Sequence, residues 1–179
     1  MMTTIAWDVD DVLNALMRSW LKHDFPTVSY DALTENPPHG CLGISLDDYR
    51  RRLDAFRLGH LADLPPNPVV MRFLQSCGDR FRHVALTAVP RSCAHLSAQW
   101  VVRHFGDWIR TFHFIPSPRP ECRLPVYDVN KAEVLATWPG KVILIDDSPA
   151  QVEAARRAGL EARFMPQPWN HAEVLELPE

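Results

Sequence analysis

The chain has 179 residues, of which 46% are hydrophobic and 23% charged, a composition that excludes collagen, coiled coils and disordered chains. Its formal net charge of −3 argues against a binder of nucleic-acid polymers, because such proteins carry a basic stripe. No apolar run approaches the ~20 residues of a membrane span, and the Asp8 carboxylate comes too early for a signal peptide. We therefore expect one cytoplasmic domain, or one domain with a small insert.

The cysteines do not form a recognisable metal or disulfide pattern. Cys41, Cys77, Cys93 and Cys122 are widely spaced, and none lies in a Cys-x-x-Cys pair or in a Cys/His cluster with zinc spacing. We interpret them as reduced thiols of a cytosolic protein.

In the first half of the chain, one predicted strand precedes a largely helical stretch. The apolar run at residues 3–8 predicts a buried strand that ends in acids. Apolar residues then recur at helical spacing around Trp20. Ser45 predicts the start of a second helix, and Asn67, which precedes a proline, predicts the start of a third.

In the second half, predicted strands and helices alternate. Asn130 and Glu133 have capping-box spacing, which places Lys131 in the first turn of a helix. Ser148 and Gln151 have the same spacing, with a proline at the first helical position. Strands are predicted at residues 83–87, 108–115, 141–146 and 160–165.

This alternation predicts an α/β fold, a Rossmann-like parallel sheet with helices on both faces. Residues 14–64 contain helices but no convincing strand, and they interrupt the alternation directly after the first strand. We interpret them as a small helical cap inserted into a core domain of residues 1–13 and 65–179. The prolines within residues 65–68 would form the hinge by which the chain returns to the core.

Two of the predicted strands end in acids. Asp8, Asp10 and Asp11 follow the first strand, and Asp146 and Asp147 follow the fourth. Ligands of an open parallel sheet bind at the carboxyl ends of the strands, where neighbouring strands would bring these carboxylates together. Clustered anions repel one another and are costly to bury, and Mg²⁺ relieves this because it favours carboxylates, waters and phosphate oxygens. The pattern therefore predicts a magnesium site.

Two further groups would reach the same edge of the sheet. Thr87 ends a predicted strand and offers a hydroxyl, and the turn at Ala88 leads into a helix whose free amides attract an anion. Lys131 opens another helix and offers a positive point charge. Lys141 is the fallback candidate for this lysine, although it lies at the other end of its strand.

The order of these motifs resembles that of the haloacid dehalogenase-like hydrolase superfamily, over nearly the whole chain. Asp11 departs from the common pattern, since many members have glycine there. The combination of Asp-Val-Asp with Ile-Asp-Asp is also similar to that of 5'-deoxyribonucleotidases. The four motifs are Ile5-Ala-Trp-Asp8-Val-Asp10-Asp11-Val-Leu13, His83-Val-Ala-Leu-Thr87, Lys131, and Val142-Ile-Leu-Ile-Asp146-Asp147-Ser148.

The resemblance implies a reaction in which two aspartates have different roles. Asp8 would be the nucleophile that forms an aspartyl-phosphate, and Asp10 the general acid that protonates the leaving alcohol and later activates water. Members that cleave carbon–halogen or carbon–phosphorus bonds lack the second aspartate. A phosphatase or a phosphotransferase is therefore preferred over a dehalogenase. We expect a Mg²⁺-dependent phosphatase for a small phosphorylated metabolite, with a nucleotide among the candidates.

The resemblance also implies which groups hold the metal and the phosphoryl group. Mg²⁺ would be bound by the side chains of Asp8 and Asp146 and by the backbone carbonyl of Asp10, while Asp147 would bind a metal water or hold the lysine. The phosphoryl group would be gripped by Thr87 and the amide of Ala88, and Lys131 would neutralise its charge.

Three alternatives accompany this interpretation. A non-catalytic phospho-ligand-binding or regulatory protein could have the same fold. A phosphoacceptor receiver domain also uses acids, a threonine and a lysine, but in a different order along the chain. The insert could bind a partner, although its arginines, Arg50, Arg51, Arg52 and Arg57, are more simply the solvated face of a helix.

Aromatic residues of the insert could stack on a base or a sugar. Aromatic residues on helical faces belong more often to the core, so we favour the core interpretation for all four candidates, Trp20, Phe25, Tyr30 and Phe56.

Overall fold

The computed structural model describes residues 2–120, 123–175 and 177–178. Its strands are β1 Thr4–Trp7, β2 Arg82–Val89, β3 Ile109–Pro116, β4 Val142–Asp146 and β5 Glu161–Phe164. The four pairings between these strands are parallel, and the spatial order is β3-β2-β1-β4-β5. The predicted α/β fold is confirmed, with β1 at the centre of the sheet.

The described residues form six α-helices: α1 Leu16–Asp24, α2 Leu46–His60, α3 Pro68–Cys77, α4 Arg91–Phe105, α5 Lys131–Ala136 and α6 Pro149–Arg157. Alternate residues of the central strand pack into two separate clusters, because successive side chains of a strand point to opposite faces. Ile5 and Trp7 join the cluster that contains α3 and α4, whereas Ala6 joins the cluster that contains α5 and α6. Helices therefore cover both faces of the sheet, as predicted.

Residues 14–64 contain α1 and α2 and no strand of the sheet. Where this segment leaves and rejoins the chain, the backbone N–H of Asn67 donates to the Leu13 carbonyl over 2.7 Å, and the Asn67 side chain donates to the Val12 carbonyl over 2.9 Å. These bonds hold the two ends of the segment together. The apolar faces of α1 and α2 share one buried cluster with β1, and the division into cap and core stays a prediction.

Side-chain caps begin three of the helices as predicted. Ser45, Asn67 and Asn130 each accept a hydrogen bond from a backbone N–H two or three residues later. The predicted capping box at Ser148 is wrong, because its side chain makes no cap. Gln151 instead accepts a hydrogen bond of 3.1 Å from the first backbone N–H of α5. The residue predicted to cap its own helix therefore links α6 to α5.

Cys41, Cys77 and Cys93 are free thiols, whereas Cys122 lies outside the described residues. Among the helices of the described chain, none has the length and apolar character needed to cross a membrane.

His83 is a buried link between β1 and β2. The indole N–H of Trp7 donates to His83 Nδ1 over 3.0 Å, so Nε2 carries the ring proton and donates to the Gly78 carbonyl over 2.8 Å. Burial lowers the pKa of His83 below its usual 6.5. The folded protein therefore holds this imidazole neutral.

We predict that His83 contributes to acid destabilisation. As the pH falls below about 6.5, the unfolded chain binds a proton at this ring before the folded protein does, so the free energy of unfolding decreases. His83→Gln removes the titration and keeps an acceptor and a donor. Chemical denaturation at neutral and mildly acidic pH should show a smaller loss for His83→Gln than for wild type. The exposed His95→Gln is the control, and an unchanged pH dependence in His83→Gln would contradict the prediction.

Candidate active site

The predicted site residues converge at the carboxyl ends of three strands. Asp8 directly follows β1, Thr87 and Ala88 lie near the end of β2, and Asp146 ends β4. These strands are neighbours in the sheet, with β1 in the middle. The parallel register therefore places an acid, a hydroxyl and a second acid along one edge.

Lys131 is buried at the centre of this edge and contacts two acids. Its Nζ lies 2.8 Å from Asp8 Oδ1 and 2.6 Å from Asp146 Oδ2, and the residue is 1% exposed. Helix α5 holds it there because Asn130 caps the helix start and Gln151 accepts the Lys131 backbone N–H. The lysine thus reaches both acids from the first turn of α5.

Burial and charge act in opposite directions on these groups. Burial raises the pKa of Asp8 to about 6, although the charge of Lys131 opposes the shift. Burial also raises the pKa of Asp147, and the charges of Asp146 and Asp8 add to this shift. Burial alone would lower the pKa of Lys131, but the charges of Asp146 and Asp8 outweigh it and raise that pKa. The lysine stays protonated and cannot balance all the acids around it.

Asp8, Asp146 and Asp147 form a group suited to a cation. One oxygen of each lies within 4.8 Å of the others, and all three residues are buried. Carboxylates are the donors that hard divalent cations such as Mg²⁺ favour, and a cation would offset the surplus negative charge. The donor set therefore fits the expected metal. The group consists of side-chain oxygens and includes Asp147. The expected contribution of Asp10, through its backbone carbonyl, stays a prediction.

Asp147 is oriented by neighbours other than the lysine. Its Oδ2 accepts hydrogen bonds of 3.0 Å from Asn36 Nδ2 and from the indole N–H of Trp169. The ion pairs of Lys131 are to Asp8 and Asp146, and the two roles expected for Asp147 stay predictions. The sequence indicated neither Asn36 nor Trp169, since both are distant along the chain.

The Asp10 carboxylate is held by a buried arginine. Arg57 of α2 donates from Nε over 3.1 Å and from Nη2 over 2.9 Å to Asp10 Oδ2. Asn14 Nδ2 lies 3.3 Å from the other oxygen, Oδ1. Asp10 therefore has a polar environment different from that of Asp8, although only one residue separates them.

Asp11 allows the chain to turn sharply after β1. Its φ of 59° lies in the left-handed region, which favours glycine and which aspartate tolerates better than most residues. This explains why glycine is suited to the position in the motif that the chain resembles. The Asp11 carboxylate accepts the Met17 backbone N–H over 2.9 Å, and burial raises its pKa to about 8.

Arg57 is the main residue of the site that the sequence analysis misinterpreted. The prediction of a solvated arginine face suits Arg51, whose side chain is 71% exposed, but it is wrong for Arg57, which is 8% exposed. Arg57 follows the buried Tyr49 and Leu53 at intervals of four residues, which is the spacing of one helical face. This spacing is the sequence signal that could have identified Arg57 as buried. The fallback lysine, Lys141, pairs with Glu161 across 2.9 Å, at the opposite end of β4.

A cavity of about 490 Å³ covers the site. Helix α2 forms part of its wall, and Tyr49 is the aromatic residue in that lining; Trp20, Phe25, Tyr30 and Phe56 are not part of it. A larger cavity of about 930 Å³ lies beside the end of β3, shares Ser117 and Arg119 with the first, and includes none of the site acids. The wall of the smaller cavity includes Asp8, Asp10, Thr87, Ala88, Lys131, Asp146 and Asp147.

Comparison with protein-family models and with curated sequences finds no match. Solved structures do match. A haloacid dehalogenase-like family hydrolase from Streptococcus pneumoniae aligns with a TM-score of 0.56 at 16% identity, covering 90% of this chain and 83% of that one.

Two further solved structures with this fold are a dehalogenase and a protein in complex with a sugar bisphosphate. L-2-haloacid dehalogenase from Xanthobacter autotrophicus has a TM-score of 0.52 at 17% identity, covering 90% of this chain and 76% of that one. CbbY from Rhodobacter sphaeroides, in complex with xylulose-1,5-bisphosphate, has a TM-score of 0.52 at 14% identity, covering 97% and 90%. At identities this low, the structural alignments establish a common fold, and the reaction has to be argued from the residues of the site. The resemblance seen in the motifs is confirmed at this level: the chain has the fold of the haloacid dehalogenase-like hydrolases.

Proposed function

We propose that this protein is a Mg²⁺-dependent phosphatase that hydrolyses a small phosphomonoester through an aspartyl-phosphate on Asp8. The observation that carries the proposal is the buried Lys131, whose Nζ contacts both Asp8 and Asp146 at the carboxyl edge of the sheet. Phosphoryl transfer depends mainly on positioning and on neutralising the charge of the phosphoryl oxygens. The ammonium group of Lys131, fixed beside the candidate nucleophile Asp8, supports that chemistry.

Asp8 and Asp146 would hold the metal, with Asp147 beside them as a further acid. When bound, Mg²⁺ supplies positive charge that stabilises the phosphoryl oxygens. The Asp8 carboxylate attacks phosphorus, and the Thr87 hydroxyl and the Ala88 backbone N–H bind phosphoryl oxygens. Lys131 orients the Asp8 carboxylate and offsets part of the charge. The cavity of about 490 Å³ supports a small substrate, and a nucleotide stays a prediction.

Asp10 favours a phosphatase over a dehalogenase. The leaving oxygen of a phosphomonoester needs a proton, which a carboxylic acid at this position can deliver and later withdraw from water. L-2-haloacid dehalogenase has the same fold, so the fold alone cannot select the reaction. The presence of Asp10 in the cavity wall beside Asp8 supports ester hydrolysis.

We predict that chelation abolishes turnover. The three clustered carboxylates repel one another without a cation, and the phosphoryl charge needs neutralising. With p-nitrophenyl phosphate as substrate, EDTA should remove activity and excess Mg²⁺ should restore it. Undiminished turnover in EDTA would exclude the metal role, and phosphate binding without any turnover would support the non-catalytic alternative.

We predict different defects in Asp146→Asn and Lys131→Met. The first variant loses an anionic ligand and should need at least about 10-fold more Mg²⁺ for half-maximal rate. The second loses a cation, so added Mg²⁺ should not rescue it. The exposed Asp63→Asn is the control, and circular dichroism checks that each variant folds. Equal rescue of both variants by Mg²⁺ would show that the roles are assigned wrongly.

We predict that Asp8→Asn and Asp10→Asn fail at different steps. Asp8→Asn should abolish turnover and the covalent phosphoenzyme, because the amide is a poor nucleophile. Asp10→Asn should slow an alkyl phosphate by about 10²–10⁴-fold and an activated aryl phosphate far less, since an activated leaving group needs little protonation. Equal losses on both substrates would exclude Asp10 as the acid, and phosphoenzyme in Asp8→Asn would exclude Asp8 as the nucleophile.

A further inference from the structure

We propose that Arg57 is a positioning residue for Asp10, and that Asp54 and Arg119 fix Arg57 in place. The inference deepens the proposed phosphatase function and rests on it. It assigns a role to a row of four alternating charges, Asp10, Arg57, Asp54 and Arg119, which joins the turn after β1, helix α2 and the loop after β3.

Arg57 uses its guanidinium to connect two acids. Nε and Nη2 both donate to Asp10 Oδ2, while Nη1 donates to Asp54 Oδ1 over 3.0 Å. The side chain is 9% exposed, and the side chains of Asp10 and Asp54 are 14% and 17% exposed. Charge-assisted bonds in a fork geometry have little rotational freedom, so the Asp10 carboxylate is held at one oxygen.

Arg119, which also lines the cavity, completes the row through its ion pair with Asp54. Its Nε and Nη2 donate to the two oxygens of Asp54 over 2.6 and 2.9 Å. Its Nη1 donates to Ser117 Oγ and to the Pro118 carbonyl. Asp54 therefore receives three hydrogen bonds from two arginines, which leaves Arg57 with little freedom to leave Asp10.

The two carboxylate oxygens of Asp10 have different hydrogen-bond partners. Oδ2 takes both bonds from Arg57, while Oδ1 has one contact of 3.3 Å to Asn14. A single long hydrogen bond is weaker than a charge-assisted pair. Oδ1 is therefore the oxygen that can exchange its partner for the leaving oxygen of a substrate, and Arg57 determines where Oδ1 lies.

Two other roles for Arg57 make different predictions. If Arg57 only stabilises the fold, its replacement would lower the melting temperature, and any loss of turnover would be the same for every substrate. If Arg57 binds the substrate, its replacement would mainly raise KM, whether or not Asp10 is present. If Arg57 positions Asp10, its replacement would lower kcat, most strongly for substrates with poor leaving groups, and would have no further effect once Asp10 has been replaced.

A double-mutant cycle with Arg57→Gln and Asp10→Asn separates these roles. The substrates are phenyl phosphate and p-nitrophenyl phosphate. Both are aryl esters, and the nitro group of the second makes its leaving group less dependent on protonation. We expect Arg57→Gln to lower kcat for phenyl phosphate by about 10²-fold, and for p-nitrophenyl phosphate much less. In the Asp10→Asn background, Arg57→Gln should add less than about 2-fold.

Matched variants protect the test against misfolding. Arg52→Gln, on the same helix and paired with Asp48 near the surface, should leave kcat unchanged. Arg57→Lys keeps the buried charge and should lose part of kcat for phenyl phosphate alone, with a melting temperature near that of wild type. A loss confined to KM, equal losses on both substrates, or losses that multiply in the double mutant would overturn the inference. A wild-type protein without turnover of either substrate would overturn the proposed function as well.

Discussion

The buried lysine at the edge of the sheet is the interaction on which the rest of the site depends. Without Lys131, Asp8 and Asp146 would face each other as uncompensated charges in the interior, and removing one partner of a buried ion pair typically costs about 3–5 kcal/mol. With it, the two carboxylates are held at fixed distances from one Nζ. The lysine still leaves Asp147 unbalanced, so the arrangement that orders the site also leaves negative charge that a cation would offset.

Each charged group is positioned by a different part of the fold. The end of β1 and the end of β4 place Asp8 and Asp146 side by side, and the hydrogen bond from Lys131 to Gln151 links α5 to α6. Asp147 depends on Asn36 of the insert and on Trp169 after β5. The site is therefore assembled from both ends of the chain, and a local disturbance at any of these contacts would move a carboxylate.

Helix α2 contributes both to the cavity wall and to the contacts of Asp10. One face contributes Tyr49 and Leu53 to the cavity wall, and the same face carries Arg57 to Asp10. The fold is shared with a dehalogenase and with a protein solved with a bisphosphate, so the reaction of this chain depends on side chains such as Asp10 rather than on the sheet. An arginine of α2 holds one oxygen of that side chain through two hydrogen bonds.

Structural features that depend on neighbouring residues could be predicted from the sequence. Apolar runs predicted all five strands, Asn130 predicted the helix start that carries Lys131, and acids at strand ends predicted where the site lies. The contacts between polar groups far apart along the chain could not be predicted in this way and are known from the folded structure alone. Arg57 lies 47 residues from Asp10 along the chain. Gln151 of α6 accepts a hydrogen bond from a backbone N–H of α5 rather than taking part in the cap of its own helix. The reason is physical: periodicity and caps depend on residues within one or two turns, whereas the partner of a buried charge depends on which strands and helices become neighbours.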